Sequence, residues 1–168
     1  MKKIGIIYGS STGTCQGIAE TIAKKLGISS EEIIDVNKLT IHQTDSFEIL
    51  FLGTSTWGDG ELQDDWYDGI KILKETNLKG KIIALFGCGD SYGYPDTFCD
   101  AIAELHDELE SSGCIFIGQT LADGYSYSSS KAVINGYFTG LAIDEINESE
   151  KTDSRIEAWL NQIKKLIE

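Results

Sequence analysis

Ile4-Gly5-Ile6-Ile7-Tyr8-Gly9-Ser10-Ser11-Thr12-Gly13-Thr14-Cys15 is a short apolar run that breaks into a hydroxyl-rich turn. The run has the composition of a buried strand. Downstream, Ile18, Ala19, Ile22, Ala23 and Leu26 recur at helical spacing. A Gly/Ser/Thr turn that opens a helix presents unpaired backbone N–H groups, hydroxyls and the positive end of the helix dipole. Those features bind phosphate. The turn carries no Lys or Arg. A nucleotide triphosphatase loop would place Gly-Lys-Ser/Thr at the helix start, where this chain has Gly13-Thr14-Cys15, and the Gly-x-Gly-x-x-Gly dinucleotide pattern is also unmet. What remains is a neutral cradle for one terminal phosphate. The alternative is a capped helix start without a ligand, since Ser and Thr are ordinary N-caps. Five hydroxyl or thiol side chains over residues 10–15 exceed what one cap uses.

Working outward, the chain alternates. Short apolar runs at 3–8, 33–36, 49–54, 81–86 and 114–118 read as strands covered on both faces. Helical patterns fall at 16–26, 66–74, 97–112 and 155–167, the last placing Ile156, Trp159, Leu160 and Ile163 on one stripe. Trp159 therefore reads as core. Repeated βα units with right-handed crossovers predict an α/β fold: an open five-stranded parallel sheet with helices on both faces. The 168 residues read as a single domain, 1–168, with no internal repeat or linker.

Composition excludes several classes. The net charge of −13 disfavours nucleic acid, which requires phosphate neutralisation, and suits basic protein surfaces. No run is apolar enough to span a bilayer and no signal-peptide core is present, so a cytoplasmic location is expected. Cys15, Cys88, Cys99 and Cys114 form no Cys-x-x-Cys pair. His42 and His106 lack metal-ligand spacing, so no metal site is expected.

Ligands of open parallel sheets bind at the carboxyl ends of the strands, beside the point where strand order reverses. After the third strand comes Ser55-Thr56-Trp57-Gly58-Asp59-Gly60-Glu61-Leu62, and after the fourth Gly87-Cys88-Gly89-Asp90-Ser91-Tyr92-Gly93-Tyr94-Pro95-Asp96. Both set aromatic residues among glycines in loops, where a core role is poorly served. With a phosphate turn beside them, they ask for a flat ring carrying a phosphate tail.

These three segments resemble those of the flavodoxin family. The phosphate loop Thr/Ser-x-Thr-Gly-x-Thr matches Ser10 to Thr14 and departs at Cys15, where threonine is usual. Thr-Trp-x-x-Gly-Glu-Leu matches Thr56 to Leu62, and Gly-x-Gly-Asp-x-x-Gly-Tyr-x-Asp matches Gly87 to Asp96. Residues 119–140, rich in Ser, Tyr and Gly, separate two halves of a fifth strand, which is similar to the long-chain flavodoxins. The resemblance implies strand order 2-1-3-4-5 and non-covalent FMN as cofactor. It implies that Ser10, Ser11, Thr12, Gly13, Thr14 and Cys15 hold the phosphate, with Cys15 a neutral thiol serving through its backbone N–H. Trp57 and Tyr94 would sandwich the ring. Asp90 would bond the ring N3–H or the ribityl chain. The backbone of Thr56, Trp57, Gly58 and Asp59 and of Cys88, Gly89 and Asp90 would meet the pyrimidine edge of the ring, with Ser55, Gly60, Gly87, Tyr92 and Asp96 also among the cofactor-binding residues.

The implied function is low-potential one-electron transfer, not enzymatic turnover, cycling between neutral semiquinone and hydroquinone. The Gly58–Asp59 peptide would flip its carbonyl towards flavin N5, as glycine permits either sign of φ. Asp59, Glu61, Asp64, Asp65, Asp68, Asp90 and Asp96 crowd the same loops. A carboxylate at about 12 Å and an effective dielectric of about 40 costs the anionic reduced flavin roughly 0.7 kcal/mol, about 30 mV. The implied partners are basic surfaces of redox enzymes such as ferredoxin/flavodoxin-NADP reductase and low-potential oxidoreductases, met transiently by a monomer. An NAD(P)H-dependent quinone or flavin reductase and a phosphoacceptor signalling domain share the topology. The first would need a basic nicotinamide-phosphate site, the second an acidic cluster after strand one, and neither pattern is present.

Overall fold

The apolar runs become β1 (Ile4–Gly9), β2 (Ile33–Asp35), β3 (Ile49–Trp57), β5 (Ile82–Cys88) and a fifth strand in two pieces, β6 (Ile115–Ile117) and β10 (Leu141–Ile143), in a computed structural model that describes residues 2–168. These strands are parallel, in the order β2-β1-β3-β5 followed by the split strand. The first half, β6, pairs with Ile82–Ala84 of β5, and β10 pairs with Phe86–Cys88 of the same strand. Residues 118–140 leave the sheet between the two halves and return in register.

Alternation along each strand feeds two cores. Ile6, Tyr8, Ile49, Phe51, Ala84 and Phe86 pack against α1 (Thr14–Leu26) and α5 (Ser149–Ile167). Ile7, Leu50, Leu52, Ile83 and Leu85 pack against α3 (Trp66–Glu75) and α4 (Asp100–Leu109). Period-2 side chains buried on both faces explain the unbroken apolar runs. Trp159 of α5 is 1% exposed, meets Phe51 edge to face at 5.5 Å and donates Nε1–H to Gly118 O at 2.8 Å. It is core.

Several boundaries differ from the sequence expectation. The helix expected at 97–112 begins at Asp100, because Cys99 takes a left-handed φ of 55° that no helix continues through. Residues 110–112 tighten into a 3₁₀ turn. The last helix begins at Ser149, six residues earlier than expected, in a polar first turn without apolar periodicity. A short helix, α2 (Ile41–Ser46), was not expected; a Thr40/Gln43 capping box nucleates it. The sheet is also not purely parallel, because β4 (Glu61–Leu62) folds back antiparallel on Thr56 and Trp57.

The residues between β6 and β10 form their own antiparallel sheet, β7 (Thr120–Leu121), β9 (Tyr137–Phe138) and β8 (Val133–Ile134). Phe138 anchors it, packing with Phe98, Tyr125 and Tyr127 at centroid separations of 4.9–6.0 Å. Ser128 and Ser129 donate backbone N–H groups to Pro95 O at 2.8 and 2.9 Å, and Ser129 Oγ bonds Asp96 O at 2.7 Å. The segment thereby braces the loop that follows β5.

Candidate functional site

The turn after β1 ends at Gly13, which caps α1 with φ 92° and donates its N–H to Ser10 Oγ at 3.1 Å. No side chain caps α1, and its first turn contains no acidic residue. The N–H groups of that turn are therefore free to meet an anion. Ser11 is tied down by Gln63, whose Nε2 donates to Ser11 Oγ at 3.2 Å and to Asp65 Oδ2 at 2.9 Å. Gln63 is 3% exposed and was not anticipated, since a lone glutamine 52 residues away carries no local signal.

Cys15, expected to serve through its backbone N–H, keeps its side chain away from the loop. Its thiol is fully buried in the α1/α5 core beside Cys88, not turned into the phosphate loop. Burial pushes this thiol well above its ordinary pKa, with the Cys88 thiol adding to the effect. Only the backbone N–H of Cys15 is available to a ligand.

A cleft opens between this turn and the loops after β3 and β5. Thr12 and Thr14 line it on one side, Ser55, Thr56, Trp57 and Gly58 on a second, and Cys88, Gly89, Asp90 and Tyr94 on a third. Thr97, Glu145 and Ile146 complete the wall. The remaining expected residues lie behind or beside it: Ser10, Ser11 and Gly13 within the turn, Asp59 and Gly60 at the tip of the β3–β4 turn, Gly87 inside β5, and Tyr92 and Asp96 on the outer loop. Glu145 and Ile146 were missed because the insertion hid where the fifth strand ends. The rule that ligands meet strand carboxyl ends applies to β10 as well.

Trp57 and Tyr94 are 41% and 62% exposed although both line the cleft. Large aromatic faces left in a cleft await a partner surface. Trp57 is held by Nε1–H donation to Ser55 Oγ at 2.7 Å. Beside it, Thr56 Oγ1 is buried with no hydrogen-bond partner. An unpartnered buried hydroxyl is costly unless a ligand completes it.

Asp90 is held by a network that crosses the site. Its Oδ1 accepts from Gly93 N at 2.8 Å, Tyr92 N at 3.2 Å and Asn147 Nδ2 at 2.8 Å. The Gly93 N–H, then Asn147 and Tyr92, hold this carboxyl below its ordinary pKa. Asn147 Nδ2 also reaches Asp144, a fully buried carboxylate that accepts from Ser91 N–H and Ser91 Oγ. The loop after β10 thus clamps the loop after β5.

The cleft's mouth is acidic. Asp59, Glu61, Asp64, Asp96 and Glu145 are exposed, and among the described residues none of them pairs with Lys or Arg. Asp68, expected in this group, pairs with Lys71 instead. At the far end of α4, His106, Asp107 and Glu110 bring ligand-capable atoms within 4.8 Å of one another, a proximity their spacing did not suggest. That cluster is largely exposed.

An acid-free helix start, two half-open aromatic faces and an orphaned hydroxyl, gathered at the ends of β1, β3 and β5, define a doubly wound α/β protein built to hold a flat ring with an anionic tail. The chain belongs to the flavodoxin family, whose model matches residues 6–159. It is 40% identical to a flavodoxin of Nostoc sp. over 163 residues, 97% of this chain and 96% of that protein. It is 40% identical to flavodoxin 1 of Escherichia coli K12 over 160 residues, 95% of this chain and 91% of the relative. The structure is similar to that of Fusobacterium nucleatum flavodoxin bound to flavin mononucleotide, with a TM-score of 0.89, 34% identity and all of both chains covered. No helix of the described residues is long and apolar enough to cross a membrane.

Proposed function

We propose that this chain is a long-chain flavodoxin, a single FMN-binding domain that carries single electrons between redox enzymes and is not itself an enzyme. The observation that carries the reading is the pair of exposed aromatic faces, Trp57 and Tyr94, in one cleft with the unpartnered Thr56 Oγ1. FMN, when bound, supplies reversible one-electron chemistry between neutral semiquinone and hydroquinone. The chain's own residues do the rest. The α1 N–H groups and the hydroxyls of Ser10, Ser11, Thr12 and Thr14 receive the phosphate, and Trp57 and Tyr94 cover the two ring faces. Asp90 has Oδ1 committed to the loop, which leaves Oδ2 to accept from the ligand. The Gly58–Asp59 peptide reorients at the ring edge, and the unpaired acids disfavour the anionic reduced state.

The same acids choose the partners: basic surfaces on reductases and low-potential oxidoreductases, approached by a monomer in the cytoplasm. The four free cysteines suit such a reducing compartment. Stepwise anaerobic reduction of the FMN-loaded protein, followed by absorbance, tests the reading. A yellow protein that turns blue and then bleaches is expected. Failure to take up FMN overturns it, and NADPH–quinone turnover at enzymatic rates by the chain alone replaces it with a flavin reductase.

A further inference from the structure

Asp100, the first residue of α4, is 2% exposed, and its two oxygens have unequal surroundings. Oδ1 accepts the Lys131 backbone N–H at 2.7 Å, from the segment between β6 and β10. Oδ2 is buried with no partner. It lies against Gly60, close enough that a Cβ there would sit 2.7 Å from it. Gly60 has φ 94° and closes the turn by donating its N–H to Trp57 O at 3.0 Å; Gly58, in the same turn, has φ 51° and lines the cleft.

A carboxyl oxygen reads peptide orientation. Protonated, it donates and selects a carbonyl; ionised, it only accepts and selects an N–H. A peptide flip exchanges those two groups, and two glycines remove the steric penalty for it. We propose that Asp100 is a positioning residue whose proton selects the orientation of the 58–60 turn, coupling proton binding to the redox state at the cleft and to the segment at Lys131. The redox part rests on the electron-carrier reading above. In the conformation seen here no donor meets Oδ2, which disfavours the ionised form. Burial accordingly raises this carboxyl above its ordinary range, against the Lys131 N–H, the Lys131 charge and the nearby Ser130 hydroxyl. Lys131 from the inserted segment is the charge that acts on Asp100 directly; Glu104, one turn along α4, feels Lys131, Glu108 and Glu61 of β4, and the buried Cys99 thiol, the preceding residue, feels both Asp100 and Asp144.

Reduction adds negative charge beside the turn and favours proton uptake, so the one-electron potential falls as pH rises. The linked component reaches at most a tenfold change in equilibrium constant per pH unit, about 59 mV. The experiment compares FMN-loaded wild type with Asp100→Asn, measuring potential against pH and the backbone amide NMR shifts of Lys131, Gly58 and Gly60. In wild type the three amides titrate with one midpoint above the ordinary carboxylate range. In Asp100→Asn that titration vanishes and the potential loses the corresponding slope. Superimposable pH profiles, or a Lys131 midpoint unlike that of the turn glycines, overturn the inference. The wild-type amide titration decides by itself if Asp100→Asn does not fold. It is also readable without FMN, so a chain that fails to bind FMN refutes the carrier reading while the Asp100–turn link is still judged.

Discussion

Asp90 spends one oxygen on its own loop. Three donors converge on Oδ1, two of them backbone N–H groups two and three residues on and one the Asn147 amide. Hydrogen bonds to an ionised acceptor are worth about 1.5–3 kcal/mol each when buried, less where water competes as it does here. Asp90→Asn is therefore expected to lower stability by about 1–3 kcal/mol at neutral pH and to weaken FMN binding, as read by thermal melts and FMN fluorescence titration. The sign with pH follows from the lowered pKa. The contribution is complete above the unfolded carboxylate value and is lost as pH falls through the folded one. The stability gap between wild type and variant should close in acid. Cys15 makes the opposite case, a site residue by position and a core residue by contact. Cys15→Ser is expected to cost about 1–3 kcal/mol for a buried hydroxyl. It should leave FMN affinity within a factor of about three, since the side chain never faced the phosphate and a thiol is a weak donor anyway.

At the scale of elements, the β3–β4 turn and the split fifth strand matter most. Gly58 sits at φ 51°, and a Cβ there would meet the Glu61 carboxylate at 3.3 Å. A β-branched residue is strained at that φ and restricts any reorientation of the peptide. Gly58→Val should lower the yield of the one-electron-reduced state in an anaerobic titration, and an unchanged yield would remove the flip from the mechanism. The split strand depends on α5. Trp159 Nε1 satisfies the Gly118 carbonyl where the chain leaves β6, at a φ of 86°. Trp159→Phe keeps most of the packing and orphans that carbonyl, for an expected loss of about 1–3 kcal/mol in denaturant unfolding. The alternation that predicts these strands and helices is local and therefore visible in sequence. The β4 hairpin and the early start of α5 are not, because two-residue strands and polar helix turns have no periodicity to read; α2 has too few residues for periodicity, and its one local sign is the Thr40-x-x-Gln43 spacing.

For the whole molecule, charge dominates. A net charge of −13, with five unpaired acids at the cleft's mouth, opposes the compact state and would disfavour reduction of a bound flavin. Raising ionic strength from about 0.01 to 0.15 M shortens the screening length from about 30 to about 8 Å. Thermal stability should rise over that range, while electron transfer to a basic partner should slow. A partner rate that ignores salt would argue for apolar docking.

Local pattern along the chain is enough to read the class of fold, the three loops at the strand ends and the lack of Lys or Arg in the first of them. Each is written in residues that are neighbours along the chain: a strand, its turn, the helix that follows. Long-range packing turns the Cys15 thiol into the core and brings Asn147 to Asp90 across 57 residues. It alone joined Asp100 to Lys131, 31 residues away, while leaving its other oxygen against Gly60. Such contacts form where the ends of separate βα units converge. Burial and hydrogen bonding there are fixed by packing between units, which no local pattern records.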